Sequence, residues 1–484
     1  MTPLSEIRLG GRNLNSQLSI LAAGTVYYTI ILVLALSHLE SKFIMDGFSH
    51  VFTIANWGTF AAPMGRHVLV LHQLLPVIAS NLGVSIRGIM EAYVVGDVLF
   101  HFSIFLCLLF VLKDKWAALF AVSVHVFGMC YNHFMMVGEL HPGSMFAIMA
   151  LSIICHWDYY SKRQKTLIVP AAFFTVSSHP LALVGFLVSA WLWRTATDRN
   201  IGLGYLKLMA LSLVMLLFKW LLLDAYDQQT VGRTLRTFSE AAVVLLDSSY
   251  LLNFTLFFLF TSPVVAAMML FGVLYLIDRR KYVTVLLFFA FQIGWMILVQ
   301  QYLDFTYFSL SLIQSMMHDR YLFPMRFVAM SMLFLVVIPL GVRKSAWSNV
   351  QQYVFASWAL CLPFLFFSAQ KADTTIADFR NVIHIAREQG IAKGYYPVEE
   401  YCDDAYIHNG SFYATFILSS IDLEQACQIL HASEETMMDL RHVKTDELLL
   451  MDGNIISTKM LNEKHFHIQS GTYKKLKYRC GTSF

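Results

Sequence analysis

Residues Ile44–Arg66 read IMDGFSHVFTIANWGTFAAPMGR, and the reading of this stretch decides the fold. It follows directly on an apolar segment at 18–39. It opens with Asp46 where that apolar helix should end, runs through a short aromatic amphipathic piece, and reaches Pro63 and Arg66. A carboxylate at the mouth of a membrane helix is costly unless it has partners or a task. Asp46 is therefore a candidate catalytic group. The plainer alternative is a solvated residue just past a helix end.

The composition supports the membrane reading. The chain has 484 residues, of which 57% are hydrophobic and 14% charged, and its mean hydropathy is +0.58. A soluble domain carries about a quarter charged residues, so the missing charges point to a bilayer. The net charge of +3 gives no footing for a nucleic-acid partner. The apolar core at 18–39 is too long for a signal peptide, and we read it as a permanent span.

A span needs roughly 20 mostly apolar residues. Candidates lie at about 18–39, 88–112, 116–136, 142–160, 166–178, 180–194, 203–223, 250–277, 282–300, 322–342 and 350–368, about eleven in all. The pair around Ser177–Pro180 (SSHP) is short and reads as two pieces that dip and return. With a cytoplasmic N-terminus, basic clusters at Arg8/Arg12, Lys113/Lys115, Lys162/Arg163/Lys165, Arg194/Arg199, Arg279/Arg280/Lys281 and Arg343/Lys344 all fall inside. The outer loops are then 40–87, 137–141, 224–249 and 301–321. Residues 1–369 form an all-α polytopic membrane domain, and 370–484 form a small extracytoplasmic α+β domain. In that tail, 411–419 and 447–451 look strand-like, whereas 375–389 and 423–431 look helical. Cys402, Cys427 and Cys480 allow one disulfide and one spare thiol there, while Cys107, Cys130, Cys155 and Cys361 read as packing residues.

Unusual polar groups gather on the outer side. Asp46 and Glu139 come from different helix ends, and two such carboxylates can orient an acceptor, hold a divalent cation, or supply a general base. Glu139 equally suits a helix start on dipole grounds alone. Asp224, Asp227, Arg233, Arg236 and Asp304 lie in the later outer loops. HDRYLFP, His318 to Pro324, puts Arg320 at an outer helix mouth, where guanidinium suits a phosphate; a salt bridge to Asp319 or Asp304 is the alternative. His141, His179 and His318 are acid–base or metal-ligand types, though a His at a helix junction is more often structural. Lys219 either snorkels outward or helps hold an anion. Asp97 and His101, four apart, read as a hydrogen bond inside the bundle, with a proton path as the lesser reading.

Taken in order, these features resemble the membrane-embedded GT-C glycosyltransferases. The carriers are D46-GFSHVFTIA-NWG-TFAAPMGR-HVLVLHQLLPVIA, Glu139 opening the fourth span, the short pair around 166–194, RYLFP at 320–324, and an outer C-terminal domain. The chain departs from that pattern in having Gly47 where a second acid often follows, and His179 where Lys or Arg often stands. The resemblance implies a polyprenyl-phosphate-linked sugar as donor and a cell-envelope glycan or lipid as acceptor, with inversion at the anomeric carbon. Asp46 would be the base and Glu139 its catalytic partner. Arg320, His318, Tyr321, His141, His179, Arg66 and Lys219 would bind substrate, with a divalent cation as the one cofactor in question.

Two rivals remain. An outer-leaflet polysaccharide polymerase or ligase shares the donor type but leans on Arg233, Arg236 and Arg320. A transporter or flippase expects inverted repeats and charges at mid-membrane. The sequence has no evident repeat.

Overall fold

The computed structural model describes residues 14–44, 46–62, 66–128, 138, 140–197, 203–222, 252, 254–256, 258–259, 262–300, 312–341, 346–397, 407–421, 425–432, 440–450 and 454–477. The chain is mostly helical. Leu14–Ser37 forms α1. One of its faces, with Leu18, Val26 and Val33, is exposed, while Ile20, Tyr27 and Tyr28 are buried. A helix apolar on both faces, one turned to protein and one outward, suits a bilayer. Gly24 lets α5 (Ile86–Leu106) approach, since a Cβ there would fall 2.4 Å from Phe105 Cζ.

Between these two helices the chain forms a turn at Glu40–Phe43, α2 (Asp46–Trp57), α3 (Leu69–His72) and α4 (Leu74–Asn81). Next come α6 (Lys115–Phe127), α7 (Leu140–Cys155), a single turn α8 (Lys162–Lys165), α9 (Ile168–Val176), α10 (Pro180–Ala196) and α11 (Leu203–Leu222). Helices α12 (Pro263–Asp278), α13 (Tyr282–Gln300), α14 (Leu312–Ser331) and α15 (Trp347–Glu388) follow. Among the described residues, four helices are long and apolar enough to cross a membrane: Ser16–Ser37, Ile86–Val111, Tyr321–Gly341 and Trp347–Glu388. The other expected spans fall on shorter helices or partly outside the described residues.

The short helices matter most for a site. Helix α6 has 13 residues and α9 has 9, so they rise about 20 and about 14 Å. Neither covers a hydrocarbon core of about 30 Å. The far end of α9, at Ser177–His179, is buried, where backbone groups need internal partners. At the SSHP apex, Ser177, Ser178 and His179 are buried. His179 caps α10, its Nδ1 accepting from the Leu181 amide at 3.2 Å. Lys219 Nζ donates to the Ser178 carbonyl at 2.7 Å. The two short pieces expected from sequence are thus α9 and α10, joined by a buried polar turn.

Contacts along α15 fix which ends share a side. Near its start, Gln351 pairs with Ser16 and Trp347 meets Lys115, whose Nζ lies 4.2 Å from the ring centre. Farther along, Asp373 accepts from Ser41 at 2.5 Å and pairs with His38 at 2.6 Å, and Arg380 holds Glu40 with two bonds. Helices α1 and α15 are therefore parallel, and α15 continues past the end of α1. At 42 residues it spans about 63 Å, and it runs unbroken through 369–370 into the tail. The side that holds loop 40–87 also holds the tail.

The tail contains β1 (Lys393–Pro397), α16 (Ile407–Ile421) and β2 (Gln428–Ala432), then a hairpin of β3 (Glu447–Leu449) and β4 (Ile455–Ser457), and β5 (Lys474–Lys475). Strand order in the larger sheet is β2-β1-β5, with both pairs parallel. Two sequence expectations are corrected here. The strand-like run 411–419 is the interior of α16, and the helix-like run 423–431 includes most of β2. A parallel pair needs a crossover of a dozen or more residues, usually helical; α16 is that crossover, it packs along β2, and its Thr415 hydroxyl bonds both backbone groups of Ile429. Cys427 is a buried free thiol; Cys402 and Cys480 lie outside the described residues.

Candidate functional site

Asp46 is the first residue of α2, where a carboxylate meets the positive end of the helix dipole. It is half-buried, and among the described residues its carboxylate makes no ion pair. Helix α2 is firmly seated. Phe52 packs on Tyr413, Phe416 and Phe466 of the tail at ring distances of 5.2–5.9 Å. Asn56 Oδ1 accepts from the Asn462 amide at 2.7 Å, and Asn462 Nδ2 donates to the Ala55 carbonyl at 3.0 Å. One turn after Asp46, His50 Nδ1 lies 3.3 Å from Tyr93 OH, which accepts from Gln73 Nε2 at 2.9 Å. Gln73 also bonds both backbone groups of Ala61 at 2.8 Å. The loop that carries Asp46 is thereby tied to α5 and to the tail. Arg66 is buried in the same loop, and the neighbouring His67 stacks on Phe173 of α9.

A second group lies deeper, near the middle of α5. Asp97 is buried and holds Lys42 Nζ at 3.6 Å and His72 Nδ1 at 3.0 Å. His101 Nδ1 donates to the Asp97 carbonyl at 2.8 Å and lies 3.5 Å from its carboxylate. The His101 ring stands 4.6 Å from His125 of α6 and 6.3 Å from His141 of α7, and the latter two are 5.2 Å apart. Tyr27 OH lies 3.1 Å from His125 Nδ1. Nε2 of His72 and of His101 is buried and makes no hydrogen bond among the described residues. An unsatisfied buried acceptor costs about 1–3 kcal/mol, so each such atom calls for an explanation.

Helix α7 also meets the SSHP apex, with the face opposite His141. Gly143, half a turn after His141, faces Ser178 so closely that a Cβ would lie 2.2 Å from its Oγ. His179 and Lys219 thus meet at the apex, whereas His141 turns to the other face of α7, towards His101, His125 and Phe323. Lys219 is buried, and its ammonium donates to the Ser178 carbonyl. From α14, Phe323 packs near His141 at 6.4 Å, and the fully buried Arg326 donates from Nη1 to the Gly128 carbonyl at 3.2 Å. Tyr321 is half-buried, and its carbonyl accepts from Trp295 Nε1 at 2.7 Å. His318 and Arg320 lie in α14, but their side chains fall outside the described residues, as does Glu139. Asp224, Asp227, Arg233, Arg236 and Asp304 lie outside them too. Among the described residues, no group of three or more His, Cys, Asp or Glu is arranged to hold a metal ion.

Lys42, His72, His125 and Arg326 were not among the residues singled out by sequence. A usable signal existed for two of them, because an ionisable residue inside an apolar run is expensive and marks a candidate site. His125 in FAVSVHVFG and Arg326 in LFPMRFV are such residues.

Compared with known proteins, the chain matches no protein-family model, and no curated protein shows significant similarity to it.

Proposed function

We propose that this chain is a polytopic membrane glycosyltransferase of the GT-C kind, acting on the outer face with a polyprenyl-phosphate-linked sugar. The observation that carries the reading is Asp46: a half-buried carboxylate at a helix start, without an ion-pair partner among the described residues, on a helix held from both sides. A general base needs a fixed position and a free lone pair. Asp46 takes the proton of the acceptor hydroxyl, whose oxygen displaces the lipid phosphate at the anomeric carbon with inversion. The departing phosphate needs charge stabilisation, which Arg320 supplies, with Lys219 and the SSHP apex nearby. A lipid donor enters sideways from the bilayer, so no nucleotide pocket is needed. The bias of basic residues places loop 40–87 and the tail outside the cytoplasm.

The test is transfer from polyprenyl-phosphate sugars to cell-envelope acceptors by the purified protein. Asp46→Asn should lower the rate about 10²–10⁴-fold, the usual worth of a general base, while leaving insertion and thermal stability unchanged. Full activity in that variant removes the base role. The transporter reading gains one observation from the structure, namely the ionisable group at mid-helix around Asp97. It predicts vectorial movement of a lipid-linked glycan by protein in vesicles with no new glycosidic bond.

A further inference from the structure

Helices α3 and α4 lie in loop 40–87, and their polarity is inverted. Across 69–82 the helical period holds, at about 100° per residue. Leu71, Leu74, Ile78 and Leu82 are exposed and fall on one stripe. The buried positions opposite include the polar His72, Gln73 and Ser80. Each is bonded inward: His72 to Asp97, Gln73 to Ala61 and Tyr93, and Ser80 to the Ile54 carbonyl of α2 at 2.7 Å. A surface helix in water turns its apolar stripe to the core and its polar groups outward. Here the reverse holds, and from 67 to 86 the chain has no Asp, Glu, Lys or Arg. Polar groups inside and an apolar row outside is the arrangement that lipid favours.

The neighbouring α5 fixes how deep the stripe lies. Near its start it exposes the charges Arg87 and Glu91, and the next exposed charge along the chain is Lys113. Glu91 and Lys113 are 22 residues apart, about 33 Å of helix, which matches a hydrocarbon core of about 30 Å. The outer edge of the hydrocarbon therefore lies near Glu91. Helix α4 runs antiparallel beside α5. At its deep end, Gly96 admits the chain so closely that a Cβ would lie 2.5 Å from the His72 carbonyl oxygen and 3.6 Å from Leu75 Cβ. Gly96 is five residues past Glu91, about 7–8 Å inside the edge. The shallow end is closed, because Asn81 Nδ2 donates to the Gly58 carbonyl at 2.9 Å. Gly58 and Gly83 take positive φ of 63° and 76° at the turns there. Non-helical backbone at membrane depth needs internal partners, and the Gln73 side chain bonds both backbone groups of Ala61.

We propose that α3 and α4 form a shallow re-entrant element whose exposed stripe is seated in the outer leaflet of the bilayer. Leu71 and Leu74 lie among acyl chains, Ile78 at the hydrocarbon edge and Leu82 among headgroups. The occupant of this face is phospholipid. The stripe continues the lipid-facing side of α5, where Leu99, one turn past Gly96 on the same face, is exposed. It also carries no charge with which to meet an aqueous partner. Ser80 and Asn81 bond the backbone of α2 and of the residue just after it, at Ile54 and Gly58. The seat of the stripe thereby sets the height of α2 at the membrane surface. The inference needs only the membrane reading of the chain and stands whether or not it transfers sugar.

Photo-crosslinking of the full-length protein tests this, in phosphatidylcholine nanodiscs and in native membranes. The photoreactive residue p-benzoylphenylalanine replaces Leu71 or Leu74, with Leu99 as the lipid-facing control and the exposed Lys444 of the tail as the aqueous one. Mass spectrometry should find phospholipid acyl adducts at 71 and at 74, as at 99, and none at 444. Adducts at 99 with none at 71 and 74 overturn the proposal. Crosslinks from 71 and 74 to a second copy of the chain or to another membrane protein overturn it too, because the stripe is then a protein interface. Leu74→Asp gives a second measurement. A carboxylate facing lipid is costly, so this variant should melt at a lower temperature than the wild type in the same nanodiscs. An unchanged Tm would show that water already bathes the stripe.

Discussion

At the scale of single residues, the informative positions are those where an ionisable group is buried. Asp97 and Lys42 show why pairing cannot be read from spacing: they lie 55 positions apart and meet at 3.6 Å. The i,i+4 relation of Asp97 and His101 was legible because a helix dictates it. The arrival of Lys42, His72 and His125 was not, since it depends on how the 40–43 turn, α3 and α6 pack. A buried ion pair is costly to break from one side, typically about 3–5 kcal/mol, because the remaining charge is left without compensation. Lys42→Met should therefore destabilise the detergent-solubilised protein by about 3 kcal/mol or more. The double variant Lys42→Met/Asp97→Asn should recover a good part of that loss, because no net charge is then left buried. Thermal unfolding of the three proteins checks it; a double variant no better than Lys42→Met alone would mean that the pair is not what holds this region.

At the scale of elements, the hairpin of α9 and α10 shows sequence and structure agreeing for a physical reason. The sequence breaks at SSHP into two short apolar pieces, and the structure has two short helices that meet there, Ile168–Val176 and Pro180–Ala196. How α7 approaches the apex was hidden, because a glycine in an apolar run can serve many purposes. Gly143 admits Ser178 at a distance that no side chain could share. Gly143→Ala should cost about 1–3 kcal/mol through overpacking and push α7 away from the apex, lowering the Tm. Ser178→Gly in the same protein removes the opposing Cβ and Oγ, so the pair Gly143→Ala/Ser178→Gly should melt above Gly143→Ala alone. If it does not, the close contact is not the limiting one. The inverse case is the tail, where 411–419 has strand-like residues yet forms a helix. Those residues suit a buried face of either kind, and the parallel β1–β2 pair settles the matter by requiring a crossover.

At the scale of the whole molecule, the membrane bundle and the tail are held as one piece on the side of loop 40–87. Helix α15 runs from one into the other, and α2 is clasped by Phe416, Phe466 and the Asn462 turn. No periodicity in the sequence announces this docking, because its contacts join residues about 400 positions apart. The clasp contains a titratable group, His465, buried beside Phe466. Burial, helped by the neighbouring Lys464 charge, pushes the His465 imidazole below its ordinary value. Once the clasp opens and His465 meets water, it should titrate near the unperturbed value of about 6.5. Between the lowered value and that one, the open state binds more protons than the closed state, so closure weakens as pH falls through this window and is unaffected well above it. Hydrogen exchange of α2 and of residues 454–477, corrected for intrinsic rates, should therefore quicken relative to the α10 core between about pH 7.5 and about pH 5.5. His465→Gln cannot titrate and should flatten that dependence. Asp46, the proposed base, stands on the clasped helix, so the same acidification should also loosen its seat. An exchange profile with no pH dependence in the wild type, or an equal dependence in His465→Gln, would show that the clasp is closed by its aromatic and asparagine contacts alone.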